Sequence, residues 1–181
     1  MISNFVKVAI AFFVIAGLVL LLTPKTIWPS FYDLPYMGWA ALACAVLIYI
    51  VSSRLRAPMA IILFLNASGD LGFYELYKYG FEYDKVIHLF TPMLATVALA
   101  RYFGIHKAVL VVVVASFGWE LFEYLSDALI KTHLFGVFRQ HIWLDTTLDL
   151  VMNGIGVILG SWIFYHTDFG ERSTEKSQTV S

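Results

Sequence analysis

Apolar positions along this chain fall into long unbroken runs instead of alternating with polar ones, so helices are the expected elements. Six runs stand out, at roughly Phe5–Leu22, Leu34–Val51, Pro58–Tyr77, Lys85–Phe103, Ala108–Leu129 and Leu144–Tyr165. Each is about 18–22 residues, enough for a helix rising 1.5 Å per residue to cross a hydrocarbon core of ~30 Å. Lipid offers no partner to an unpaired backbone group, which also favours helices. The pattern predicts an all-α fold: a polytopic integral membrane helical bundle of about six transmembrane helices over residues 1–166. The polar stretch 167–181, "TDFGERSTEKSQTVS", has nothing to bury and is expected to be disordered.

Two runs need comment. The first follows Lys7 in the manner of a signal peptide, but "LLTPKTIWPS" offers no small-residue cleavage site, so a retained helix is expected. The third is interrupted by Asn66, Ser68 and Asp70, which leaves a re-entrant segment as the alternative to a full span. Between the first two runs and at the start of the second, Trp28, Tyr32, Tyr36 and Trp39 suit the interfacial aromatic belt.

Composition agrees with a membrane protein. Of 181 residues 60% are hydrophobic and only 14% charged, with a mean hydropathy of +0.76; a soluble domain carries roughly 25% charged residues. A net charge of −1 provides no basic stripe for nucleic acid. The lone Cys44 lies in an apolar run, which excludes a disulfide framework and a thiolate metal cluster.

Six spans place both termini on one side. That side collects Lys7, Arg54, Arg56, Arg101, Lys107, Arg172 and Lys176; the other collects Lys25, Lys78, Lys85, Lys131 and Arg139. The excess predicts cytoplasmic termini.

With that topology the unusual polar residues fall in one leaflet, the outer one. Asp84 and His88 open the fourth span, and Asp145, Asp149 and Asn153 open the sixth. Asp70 and Glu75 close the third, as Glu120, Glu123 and Asp127 close the fifth. Asp70 and Glu120 lie about 18 Å from the cytoplasmic ends, and Asn153 roughly 13 Å below the outer surface. The pairs Asn66/Asp70, Asp84/His88, Glu123/Asp127 and Asp145/Asp149 are spaced i,i+4, and Asn153 extends the last series. Each pair therefore shares a helix face, and four helices can aim polar stripes at an outward-open cavity.

Carboxylates gathered around one imidazole suit a hard or borderline divalent cation. The candidate metal ligands are His88, Glu120, Glu123 and Asp149, and the candidate catalytic residues are Glu120, Asp84 and Asn153. Plainer roles exist for each. Asp84, Asp127 and Asp145 lie near span ends, where solvated or helix-capping carboxylates are ordinary. Glu120, Asp70 and Asn153 could be interhelical glue. His106, His133, His141 and His166 fall in loops or at span ends, and Gly156-x-x-x-Gly160 is expected to serve close helix packing.

Three segments carry a family resemblance over roughly Tyr83 to Gly160. "YDKVIHLFTP", "ELFEY" and "DTTLDLVMNGIG" resemble, in order, the Y-D-[RK]-x-x-H-F, E-L-x-E-[WY] and D-T-x-x-D segments of YjdF-type bacterial inner-membrane proteins. The wider VanZ-like proteins show a similar order of D-K-x-x-H, a membrane Glu, and D-x-x-x-N-x-x-G, here ending in Asp149, Asn153 and Gly156. The residue before the His is Ile87 where these families often carry Gly, and the expected Trp is displaced to Trp143. The resemblance implies a multi-pass protein of the bacterial inner membrane and, from the VanZ-like side, a role in glycopeptide-antibiotic resistance at the outer face.

Two classes of function follow. One is an intramembrane enzyme, a metal-assisted hydrolase or transferase acting on a lipid-linked or envelope substrate, with a carboxylate as general base. The other is a non-catalytic membrane protein, a small transporter or a binding or scaffolding subunit. The apolar cytoplasmic half, with runs such as "MAIILFL" and "VLVVVVAS", favours a one-sided site over transport. No phosphate-binding Gly loop, nucleophile elbow or H-E-x-x-H motif is present.

Overall fold

The computed structural model describes residues 2–23, 34–70, 73–79, 81–125, 129 and 142–167. Six α-helices are described, α1 Asn4–Leu22, α2 Leu34–Ile50, α3 Arg56–Asp70, α4 Tyr83–Phe103, α5 Ile105–Leu125 and α6 Ile142–His166, with a 3₁₀ helix at Phe73–Tyr79. No strand occurs among the described residues. Four helices, α1, α4, α5 and α6, are long and apolar enough to cross a membrane. The other two are shorter, with 17 residues in α2 and 15 in α3, which corresponds to about 25 and 22 Å at 1.5 Å per residue.

The third run does not form one helix to Tyr77. α3 stops at Asp70, and the chain resumes as the 3₁₀ helix from Phe73. Asp70 is a poor helix former set between Gly69 and Gly72, and glycine favours leaving a helix. Upstream of that break, the polar residues that weaken the run are satisfied within their own helix. Asn66 Nδ2 donates to the carbonyl of Ile62 at 2.8 Å, and Ser68 Oγ to that of Phe64 at 2.7 Å. Such i−4 back-bonding allows a polar side chain in an apolar helix without an interhelical partner.

The chain divides into two compact units, Met1–Leu71 and Gly72–Ser181. In the first, α1 runs along α2 and α3 packs on both. Phe13 and Ile48 are completely enclosed there among Val6, Ala45 and Ala60. Arg56 returns to the end of α2 and donates to the carbonyls of Tyr49 (2.8 Å) and Val51 (3.2 Å), acceptors that a helix C-terminus leaves unpaired.

The second unit is built on α4 and α6, with α5 against both. α4 and α5 are joined by Gly104 alone, whose φ of 83° reverses the chain in a region costly to other residues. Its amide caps α4 by donating to Ala100, and its carbonyl accepts from Ala108. α5 therefore starts at Ile105, three residues ahead of the apolar run that predicts it.

The approach of α6 to α4 is close because Gly156 and Gly160 face backbone. A Cβ on Gly156 would strike the Leu89 carbonyl oxygen and lie 2.8 Å from Pro92 Cγ; one on Gly160 would lie 2.6 Å from the Met93 carbonyl oxygen. The expected packing role of this small-residue pair is what the geometry gives it. Along α4 the buried positions His88, Pro92, Thr96 and Ala100 recur every four residues. They face buried Asp149, Asn153, Gly156, Gly160 and Phe164 of α6. Both stripes are polar at one end and apolar at the other.

Candidate functional site

The polar end of this unit lies where the N-termini of α4 and α6 meet the C-terminal turns of α5. α4 contributes Asp84, Lys85 and His88 from its first two turns, α6 contributes Asp145, Asp149 and Asn153 from its first three, and α5 contributes Glu120 and Glu123. The positive poles of α4 and α6 favour the carboxylates of those helices, whereas Glu120 and Glu123 sit at the negative pole of α5 and depend on side-chain partners. Phe73, Tyr74 and Phe81 surround buried Tyr83 at ring-centroid distances of 5.1, 6.0 and 6.5 Å, beside Asp84. An aromatic collar at a helix mouth suits the membrane–water interface.

His88, 7% exposed, is the hub. Its Nδ1 lies 3.0 Å from Glu120 Oε1, while its Nε2 lies 3.4 Å from Asp84 Oδ1 and 3.8 Å from Asp149 Oδ1. Glu120 is only 2% exposed, and its Oε1 also accepts a hydrogen bond of 2.8 Å from Asn153 Nδ2. The arrangement yields two sets with ligand atoms within 4.8 Å of one another: Asp84, His88 and Asp149, and His88, Glu120 and Glu123.

Lys85 enters the sequence reading as a charge for topology and as part of the "YDKVIH" segment, without a site role, and it is a member of the cluster. Its Nζ donates to Asp145 Oδ1 and Asp149 Oδ1, both at 2.6 Å, and to Asp84 Oδ2 at 3.2 Å. The signal was present in the i,i+3 spacing of Lys85 and His88, which puts both on one face of α4. Asp145, which would suit a simple helix cap, is instead 6% exposed and held by this ammonium.

The sequence-predicted residues thus divide as follows. Asp84, His88, Glu120, Glu123, Asp149 and Asn153 come together on three helices, with Asp145 added. Asn66 belongs to the first unit and bonds its own helix. The side chains of Asp70 and Glu75, and all of Asp127, His133 and His141, lie outside the described residues. His106 is exposed, and His166 is exposed with its Nδ1 2.9 Å from the Trp162 carbonyl.

Five carboxylates (Asp84, Glu120, Glu123, Asp145, Asp149) share one ammonium and one imidazole among the described residues. Unbalanced negative charge is costly away from water, and protons or a bound cation relieve it. Toward the other end the buried positions are apolar, Ala100, Ala108, Val112 and Phe164, with Thr96 the polar exception.

The profile of a family described as predicted membrane protein (DUF2238) matches residues 5–168. The chain belongs to the DUF2238 family. The match covers both compact units and every residue of the cluster, so this polar end lies within the part that defines a DUF2238 chain. No curated protein and no solved structure matches it.

Proposed function

We propose that the α4–α5–α6 cluster is a one-sided intramembrane site for a divalent cation, serving a metal-assisted hydrolase or transferase with a lipid-linked or amphiphilic envelope substrate. The observation that carries this reading is the placement of His88 between carboxylates on both ring nitrogens. With Nδ1 as ligand beside Glu120 and Glu123, Nε2–H is left to donate to Asp84. A carboxylate on the far nitrogen of a ligating histidine fixes its tautomer and raises its basicity. Asn153 holds Glu120 from the third helix. A divalent ion bound here supplies Lewis-acid polarisation and an acidified water; Asp84, 24% exposed at the mouth, is the carboxylate placed to exchange protons with solvent.

The segments that resemble YjdF-type and VanZ-like proteins supply Asp84, Lys85, His88, Glu120, Asp149 and Asn153, all in this one cluster. That supports a site at the outer face of the bacterial inner membrane, with the termini cytoplasmic as the Lys/Arg excess favours. The apolar far end of the unit supports a site entered from one side over a transport path.

A second, non-catalytic reading draws on Lys85. Its ion pairs with Asp145 and Asp149 tie α4 to α6 without any added ion, as a structural network in a binding or scaffolding subunit would.

Titrating detergent-solubilised protein with Mn²⁺ separates the two. A cation that binds only the folded state stabilises by about 2.7 kcal/mol at a hundredfold excess over Kd. The wild-type melting temperature is expected to rise with Mn²⁺, and Glu120→Gln and Glu123→Gln to remove most of that rise. An equal rise in all three proteins would assign the effect to non-specific surface binding.

A further inference from the structure

We infer that Lys85 is a tethered cation filling a second cation subsite next to the His88–Glu120–Glu123 set, and that it keeps the native site to a single metal ion. The inference deepens the metal reading above and rests on it. Three carboxylates from two helices converge on Lys85 Nζ, two at 2.6 Å and one at 3.2 Å. Two of them, Asp84 and Asp149, are the same residues that form a metal-capable set with His88. Asp149 Oδ1 in particular faces both the ammonium (2.6 Å) and His88 Nε2 (3.8 Å). The second set therefore has the donors for an ion, but its oxygens are already turned toward a covalently attached positive charge.

Burial makes that arrangement consequential. Asp149 is 2% exposed and Asp145 6%, so neither can turn to water if the ammonium is removed. Their charge then has to be met by protons or by a cation from solution. Hard carboxylate oxygens with an imidazole at the rim suit a divalent ion of the Mn²⁺ or Mg²⁺ class. A two-ion site places adjacent metals either side of a reacting group; here the second positive centre is supplied by the chain. Lys85 is a positioning and specificity-determining residue in this scheme: it holds Asp149 out of the first ion's ligand set and leaves Nε2 of His88 to Asp84.

The test is a count of Mn²⁺ bound per chain, by equilibrium dialysis and elemental analysis, for wild type, Lys85→Met and Lys85→Arg. Methionine keeps the length of the stem and deletes the charge; arginine keeps the charge. The expected result is about one ion in wild type and Lys85→Arg, and about two in Lys85→Met. One ion in all three would overturn the tethered-cation inference and leave the metal site standing. An ion in Lys85→Met with none in wild type would keep Lys85 as a tethered cation in a subsite of its own, but would overturn the single-ion claim together with the native metal site. None in any of the three would remove both. If Lys85→Met does not survive purification, Lys85→Met/Asp145→Asn sheds one excess carboxylate, keeps Asp84 and Asp149, and is expected to give the same gain of an ion.

Discussion

Lys85→Met, measured in the presence of a chelator, is expected to lose about 3–5 kcal/mol of folding stability, the range found when one partner of a buried ion pair is deleted. The loss comes less from the missing attraction than from what is left behind. Asp145 and Asp149 are almost wholly enclosed, and each loses a 2.6 Å contact to the only described ammonium in the cluster. Lys85→Arg preserves the charge and is expected to lose much less. Asp145→Asn removes a carboxylate from a cluster that already has too many, so it costs little alone and offsets part of the loss when combined with Lys85→Met. Denaturation of the four proteins in one detergent, followed by helical ellipticity, measures the coupling as a double-mutant cycle. Additive effects, or a Lys85→Met protein as stable as wild type, would contradict the placement of Lys85 among buried carboxylates.

Gly156→Val has the second large expected effect, and it acts through backbone. A side chain at Gly156 meets the carbonyl of Leu89 and the ring of Pro92, not the far end of a flexible side chain. Nothing nearby can rotate away, so α4 and α6 must separate. The cost is expected to reach or exceed the upper end of the ~1–3 kcal/mol usual for overpacking. Separation would also pull Lys85 from Asp145 and Asp149, because those pairs bridge the same two helices. Gly154→Val is the matched control: an added Cβ at Gly154 has no neighbour within 4 Å, and its melting temperature is expected to stay close to wild type. Comparable losses at both positions would mean that valine in a helix, and not the α4 contact, is responsible.

These two residues also mark how far the sequence could be read. The helices were legible because apolar runs near 20 residues admit few other structures in lipid, and α1, α4, α5 and α6 lie close to where those runs put them. The limits of α3 were not, since hydropathy continues through Tyr77 while Gly69, Asp70 and Gly72 end the helix locally. The start of α5 was missed for a related reason: Gly104 reverses the chain in one residue, so the polar His106 and Lys107 that separate the two runs lie in the first turn of α5 and not in a loop. At the site, His88, Glu120, Asp149 and Asn153 stood out because ionisable and amide groups at membrane depth need partners. Lys85 did not, because a lysine near a span end ordinarily snorkels to the interface, and only the fold shows its ammonium directed inward at three carboxylates. Asn66, whose spacing from Asp70 gives it a place in a polar stripe, donates a 2.8 Å bond to the Ile62 carbonyl of its own helix.

The divalent-cation site is tested most directly by the metal content of protein purified without chelators, beside His88→Ala and Glu120→Gln variants of comparable stability. His88 and Glu120 are 3.0 Å apart and belong to the same ligand set, so a stoichiometric divalent ion is expected in wild type and is expected to be lost in both variants. A wild-type protein that carries no divalent metal under those conditions, or variants that keep it, would contradict the site and leave the cluster as an ion-paired structural network.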